Sequence, residues 1–259
     1  MKKEKEVTAE VEVSKMIDKV WRPAMTALIA AGVGYGGFIG YRAYEVSKEN
    51  AAQEKLFLIQ KSVEDKLEEL TKPDEEKVTT GKKLNKKEER ESPKALKEIE
   101  KSPESLVKNF ESQIQSYEKF IENHKGHKAS YMAAIQLAGL SVEYKDLSRA
   151  EKVLSGVVER AKNDLFGGLV TSHLGTVLMD QKKYKEAIEQ FSSLVDDKKQ
   201  TYFHPQALLR LGTCYLETGD FGMAETTFKK IEVDFPSTQA ASEAKNLIKL
   251  IALKKGDKV

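Results

Sequence analysis

His124 and His127, three residues apart, are the pair in this chain best suited by type to hold a metal ion, and Cys214 is its one cysteine. A zinc site needs three or four nitrogen, sulfur or carboxylate ligands that converge. These histidines instead flank Lys125-Gly126 in a connection, with no further ligand at metal spacing. A nucleophilic thiol needs a base or a cationic setting. Cys214 lies between Gly212 and Tyr215 in an apolar-periodic stretch and reads as a small buried hydrophobe. His173 and His204 fall in separate segments and read as packing or capping side chains. Gly167-Gly168 reads as a hinge before a helix, with nothing after it to act on phosphate. The chain is therefore expected to be no enzyme, with no metal and no cofactor.

A different chemistry recurs. Glu143, Asp180 and Glu217 stand at a fixed step of 37 residues. Each closes a helix, where an acid opposes the macrodipole at a cost of about 0.3–1 kcal/mol if exposed. The row points to a ligand with basic groups, or to simple pairing with the neighbouring Lys145, Lys182 and Lys183. The same step relates Ala138, Gly175 and Gly212, then Ala150, Ala187 and Ala224, then Leu154, Phe191 and Phe228. A period of this length means stacked helix pairs, none able to bury its apolar face alone. In each pair a first helix ends near Glu143, Asp180 or Glu217 and a second starts around Ser148, Lys185 or Gly222. Small residues at 150, 187 and 224 mark a close crossing, and the large residues at 154, 191 and 228 fill the space beside it. A last helix from Thr238 to about Lys254 carries a polar outer face, Glu243, Lys245, Asn246 and Lys249, as a capping helix requires.

Ahead of the repeats, residues 23–41 carry no charge and sit between Arg22 and Arg42. Nineteen such residues reach about 28 Å, the thickness of a bilayer core. A retained transmembrane anchor is expected, since the acid-containing segment 1–22 lacks a cleavage pattern. Lys2, Lys3, Lys5, Lys15, Lys19 and Arg22 precede the stretch; Arg42, Lys48, Lys55 and Lys61 follow it. That bias favours a cytoplasmic N-terminus and an exported C-terminal domain, hence an inner-membrane, periplasm-facing protein. Gly32, Gly36 and Gly40 form small-xxx-small steps that suit contact with a partner membrane helix or a second copy.

Residues 42–71 read as an amphipathic continuation helix with Leu56, Ile59, Val63, Leu67 and Leu70 as its stripe. Residues 72–102 are mainly Lys and Glu, too poor in apolar area to repay ordering, and read as a flexible insert. Ser102-Pro103-Glu104 is a strong helix start. The helix it opens, with Leu106, Phe110, Ile114, Tyr117 and Ile121 buried and Phe120 beside them, pairs with the continuation helix as a split hairpin. Residues 103–259 complete an all-α solenoid, and a net charge of +2 gives no pull toward nucleic acid.

Leu208, Leu211, Gly212 and Tyr215 followed by Ala224, Phe228, Ile231 and Pro236 resemble the tetratricopeptide repeat. Leu174, Gly175, Leu178, Ala187 and Phe191 match it in the preceding unit; Leu137, Ala138, Ala150 and Leu154 match more weakly, with Ser141 in a large residue's place. The order of tail, anchor, continuing helix and repeats resembles the YfgM family, most of all over Glu122-Asn123-His124 and Tyr131 to Ala138. Phe235 to Ala241 resembles a junction of CpoB- and BamD-type envelope proteins. The first resemblance implies an ancillary chaperone-like factor of the Sec translocon that meets exported or unfolded polypeptides. The second implies a scaffold for envelope-assembly enzymes.

The resemblance also implies a groove lined by the first helix of each pair. Its positions here are Met132, Ile135, Gly139, Val142 and Glu143, then Leu169, Ser172, Thr176, Met179 and Asp180, then Gln206, Leu209, Thr213, Leu216 and Glu217. Adaptable apolar side chains mixed with hydroxyls suit a peptide. A short superhelix can also fill its groove with its own last helix.

Overall fold

A computed structural model describes the backbone of residues 2–72, 99–162 and 164–256, and the side chains of 35–72, 99–162 and 164–254. The elements among the described residues are all helices: α1 (Lys2–Thr71), α2 (Pro103–Asn123), α3 (Lys128–Glu143), α4 (Leu147–Ala161), α5 (Gly167–Asp180), α6 (Tyr184–Asp196), a 3-10 helix (Lys198–Phe203), α7 (His204–Glu217), α8 (Phe221–Asp234) and α9 (Gln239–Gly256). The chain divides into two compact units, Met1–Ala51 and Ala52–Val259.

In the first unit the apolar stretch 23–41 lies largely outside the described side chains, and Gly32 with it. Among the described residues no helix is long and apolar enough to cross a membrane. Gly36 and Gly40 are exposed, and so are Tyr35, Phe38, Ile39 and Tyr41. The insert read over 72–102 falls mostly on residues 73–98, outside the described chain.

The second unit begins with the last five turns or so of α1. Its stripe of Leu56, Ile59, Val63, Leu67 and Leu70 shares one apolar cluster with Leu106, Phe110, Ile114, Tyr117 and Phe120 of α2. Phe120, not Ile121, completes the buried row; Ile121 is half-buried and bridges to the next cluster. Gln113 of α2 donates to Ser62 Oγ of α1 at 3.1 Å. The start of α2 is a capping box: Ser102 Oγ accepts from Ser105 N at 3.2 Å and Ser105 Oγ accepts from Ser102 N at 3.0 Å. Pro103 stands in the first turn, where its missing N–H costs nothing.

Three hairpins follow, α3–α4, α5–α6 and α7–α8. Their first helices end on Glu143, Asp180 and Glu217 and their second helices begin at Leu147, Tyr184 and Phe221. Every turn between them is the same Schellman closure. Asp146 N donates to Ser141 O, Lys183 N to Leu178 O and Asp220 N to Tyr215 O, at 2.8, 2.8 and 2.9 Å. The residue at the centre is left-handed each time: Lys145 (φ 63°), Lys182 (φ 60°) and Gly219 (φ 82°). Only the third turn uses the residue that takes this conformation without strain.

Within each hairpin the small–large crossing is tight. A Cβ added at Gly175 would lie 2.6 Å from Phe191 Cζ, and one at Gly212 would lie 2.4 Å from Phe228 Cε1. Ala150, Ala187 and Ala224 are fully buried, as are Leu154, Phe191 and Phe228. Gly167 and Gly168 are not a hinge. They lie inside the first turn of α5, and added Cβ atoms would meet Ala161 O at 2.6 Å and Phe203 Cδ2 at 2.4 Å. Glycine is needed there for close approach of backbone and ring. At the far end α9 buries Ala240, Ala241, Ala244 and Ile251 and leaves Glu243, Lys245, Asn246 and Lys249 exposed.

Candidate functional site

Along the second unit α3 approaches α5, and α5 approaches α7, whereas among the described residues α4 and α6, or α6 and α8, do not approach one another. The first helices of the hairpins therefore form the inner side of the stack. On that side Met132, Ile135, Val142, Leu169, Met179 and Leu216 are half-buried, each with apolar surface still open to solvent. Leu209 differs. It is 3% exposed and packed in the cluster closed by α9, so it belongs to the core and offers nothing to a ligand. The last helix thus fills the inner side over the third hairpin at this position, and Leu216 and Thr213 remain beside it half-buried.

The hydroxyls are also not free lining groups. Thr176 Oγ1 donates to Ser172 O and Thr213 Oγ1 donates to Leu209 O, both at 2.9 Å, one turn back along their own helices. What these positions show to a ligand is mainly a methyl group and one acceptor lone pair.

Glu143, Asp180 and Glu217 are all exposed. Their expected pairing with Lys145, Lys182 and Lys183 does not occur. Glu143 binds Lys101 at 2.7 Å, an ion pair that raises the lysine pKa. Glu217 faces Tyr184, whose hydroxyl is pushed up by burial first and by the Glu217 charge next. Asp180 has no ion-pair partner among the described residues. Lys183 reaches across to the preceding hairpin, where its ammonium lies 2.6 Å from Glu151 Oε2. Gln181 Nε2 donates to the same carboxylate at 2.9 Å and to Leu147 O at 3.0 Å. The acids recur in sequence but not in environment.

The metal and nucleophile candidates resolve as structure. His124 stacks on Phe120 at 4.2 Å, and its Nδ1 is 2.9 Å from Phe120 O. The His124 and His127 rings are 6.1 Å apart, and no group of three potential metal ligands forms among the described residues. His204 Nε2 lies 3.0 Å from Asp197 O as a cap, and His173 is exposed on α5. Cys214 is fully buried, and burial pushes its thiol up to about 12, so little thiolate exists at neutral pH.

Two concavities escaped the sequence reading. One, of 990 Å3, opens where α1 ends and α2 begins, between Leu67, Ile99, Lys101 and Tyr144. The fully buried Tyr144 packs edge-on against Phe110 at 5.5 Å, and its hydroxyl has no protein partner. The other, of 370 Å3, lies between α1 and α3 and is walled by Leu56, Ala129, Met132 and Phe166. The split hairpin had already put this part of α1 in the place of a first helix. Extending the register of the inner side onto it points to Gln53, Leu56 and Gln60.

A family model described as a tetratricopeptide repeat-like domain matches residues 19–254. No curated protein matches the chain. Among solved structures, MamA from residue 41 to the end, from Desulfovibrio magneticus RS-1, is similar at 16% identity, covering 60% of this chain and 81% of that one with a TM-score of 0.45. A putative kinesin light chain of Podosopora anserina with nearly identical TPR-like repeats is similar at 12% identity, covering 59% and 81% with a TM-score of 0.46.

Proposed function

Since the chain belongs to the tetratricopeptide repeat-like domain family, whose match spans residues 19–254, we propose that it is a membrane-tethered protein-interaction module whose inner helices hold polypeptide segments. The observation that carries this reading is the row of half-buried apolar side chains on α3, α5 and α7, Met132, Ile135, Val142, Leu169, Met179 and Leu216. An apolar row that its own fold leaves partly uncovered gains by covering it with another chain. Unbranched, polarizable methionines adapt to partners of varied sequence.

The uncharged stretch 23–41 supplies the tether, with the N-terminus cytoplasmic and the repeats periplasmic. The family match reaches back across this stretch to residue 19, which supports reading anchor and repeats as one inherited unit. With the YfgM-like arrangement, the partner at the membrane is a component of the Sec translocon, met through Gly32, Gly36 and Gly40. Tethering raises the local concentration of the inner side beside emerging chains. Photo-crosslinkers at Met132, Met179 and Leu216 of the full chain in cells should trap polypeptides; adducts with lipid alone defeat the reading. Protease should reach the repeats in spheroplasts, and protection there overturns the topology.

A second reading, a scaffold for envelope-assembly enzymes, draws on the Phe235–Ala241 junction and on the burial of Leu209 beneath α9, which shortens the open inner side. Under it, capture of translocon components is independent of the three glycines, and crosslinks fall on folded partners.

A further inference from the structure

Every position of α5 is buried except Leu169, Ser172, His173, Thr176, Met179 and Asp180, and these fall on one face of the helix. His173 therefore belongs to the inner side. The step of 37 residues carries it to Arg210 on α7, and α5 and α7 approach one another. Arg210 follows Leu209, over which α9 closes, and stands about 100° farther round the helix, turned from α9 onto the open face. It is half-buried, and no hydrogen bond or ion pair joins its guanidinium to a protein group among the described residues. On α3 the equivalent position differs, since Gln136 is held by the Tyr117 hydroxyl of α2.

The His173 ring is open to solvent, yet burial by the surrounding helices lowers its pKa from 6.5, as expected of a side chain in a concavity. At neutral pH it is mainly an uncharged donor, and Arg210 supplies the charge. The acid on the same face of α7, Glu217, lies seven residues on, about 10 Å along the axis, and is engaged with Tyr184. Asp180 stands equally far from His173 along α5 and forms no ion pair with Arg210. Neither acid neutralises the guanidinium.

We propose that Arg210 and His173 together bind a side-chain carboxylate, Asp or Glu, of a polypeptide lying along the inner side. This deepens the polypeptide-binding reading above and rests on it. A guanidinium donates two parallel N–H groups to a carboxylate, and the imidazole adds a third donor. Open apolar side chains stand on both sides of the pair, Met132 and Ile135 on α3 and Leu216 on α7, so a segment that covers them runs past it in both directions. The carboxylate is accordingly that of an internal residue and not of a chain end.

The test uses the full chain in detergent micelles and fluorescence anisotropy of peptides Leu-Ser-Gly-X-Gly-Ser-Leu, labelled at the N-terminus and amidated at the C-terminus, with X as Glu, Gln or Lys. Glu should bind at least fivefold more tightly than Gln, and Lys more weakly than Gln. Arg210→Gln should cut the preference for Glu over Gln below twofold while moving the affinity for the Gln peptide less than twofold. Arg210→Lys, which keeps the charge but not the paired donors, should retain a preference of two- to threefold. His173→Leu should halve the preference or more. Lys152→Met on the outer α4, an equal change in net charge, should leave it intact. Equal binding of the Glu and Gln peptides to the wild type overturns the carboxylate site alone. Binding of none of the peptides overturns the site and the polypeptide-binding reading together. A preference that survives Arg210→Gln, or an equal loss for both peptides, also overturns the site. So does a Gln peptide with a free C-terminal carboxylate that matches the amidated Glu peptide, since the source is then a chain end.

Discussion

The second and third hairpins have the same geometry from different residues. The third has Gly219 at the left-handed position and Asp220 as N-cap, its carboxylate accepting from Met223 N at 3.0 Å. The second puts Lys182 at the strained position and Lys183, with no side-chain cap, at the start of α6. What it lacks locally it gains from its neighbour, because Lys183 and Gln181 both bind Glu151 of the first hairpin. The third is built from its own sequence, and the second is held in part by the first. A repeat can give up local signals when a stacked neighbour supplies the constraint.

The sharpest way to break this contrast is to empty each core. Phe191→Ala and Phe228→Ala should each cost about 3–5 kcal/mol in urea melts. The first should leave one transition, since the middle hairpin is coupled on both sides. The second should split the melt as α8 and α9 come away first. Two steps for Phe191→Ala, or one for both variants, contradict the contrast. Smaller, at about 1–3 kcal/mol, is the overpacking cost of Gly175→Ala or Gly212→Ala, where the new methyl meets a buried ring. Thermal melting should show the two to be similar, because this part of the geometry is shared.

Below these come the turns. Asp220→Ala removes a cap and should cost about 1 kcal/mol, whereas Lys183→Asp should add a cap but sever the tie to Glu151 and come out near zero. Lys182→Gly should stabilise by about 1 kcal/mol, and Gly219→Lys should destabilise by as much, if the left-handed strain is equal in both turns. A gain much smaller than the loss would show that repeat stacking already relieves Lys182.

The smallest effect is on acid stability. The Lys183 hydrogen bond, partly opposed by burial and aided by Gln181, holds the Glu151 pKa below its ordinary 4.5. The folded chain therefore binds this proton less readily than the unfolded one. The resulting stability is complete above pH 4.5 and fades as pH falls through the lowered value. Lys183→Met should flatten that part of the acid melting curve, and an unchanged curve would falsify the tie.

The sequence carried the helices well where the signal was local. Ser102-Pro103-Glu104 marked the start of α2, and the 37-residue step located all three hairpins to within a residue or so. It carried the turns poorly, because lysine at 145 and 182 bears no mark of a left-handed backbone; the Schellman hydrogen bonds impose it. Gly167-Gly168 was legible as glycine but not as close approach, since glycine serves flexibility and tight packing alike until the neighbours Ala161 and Phe203 are known. On the inner side, register along one helix pointed to Met132 and Met179, and both are half-buried. It could say nothing of Leu209, whose burial depends on α9. Acids at one spacing suggested one ligand or one kind of pairing, yet Glu143 meets Lys101 just ahead of α2, Glu217 meets Tyr184 of α6, and Asp180 has no ion-pair partner among the described residues.

The Glu151 tie also bears on how the array comes apart. In a one-dimensional lattice each repeat has an intrinsic energy and a coupling to its neighbours. Moving stabilisation from the turn of the middle repeat into its boundary with the first lowers the former and raises the latter. Such a lattice resists opening a bubble at its centre and melts inward from its ends. Amide hydrogens of α5 and α6 should therefore exchange only with the whole domain, and a segment threaded through the inner side would meet a floor that does not breathe beneath it.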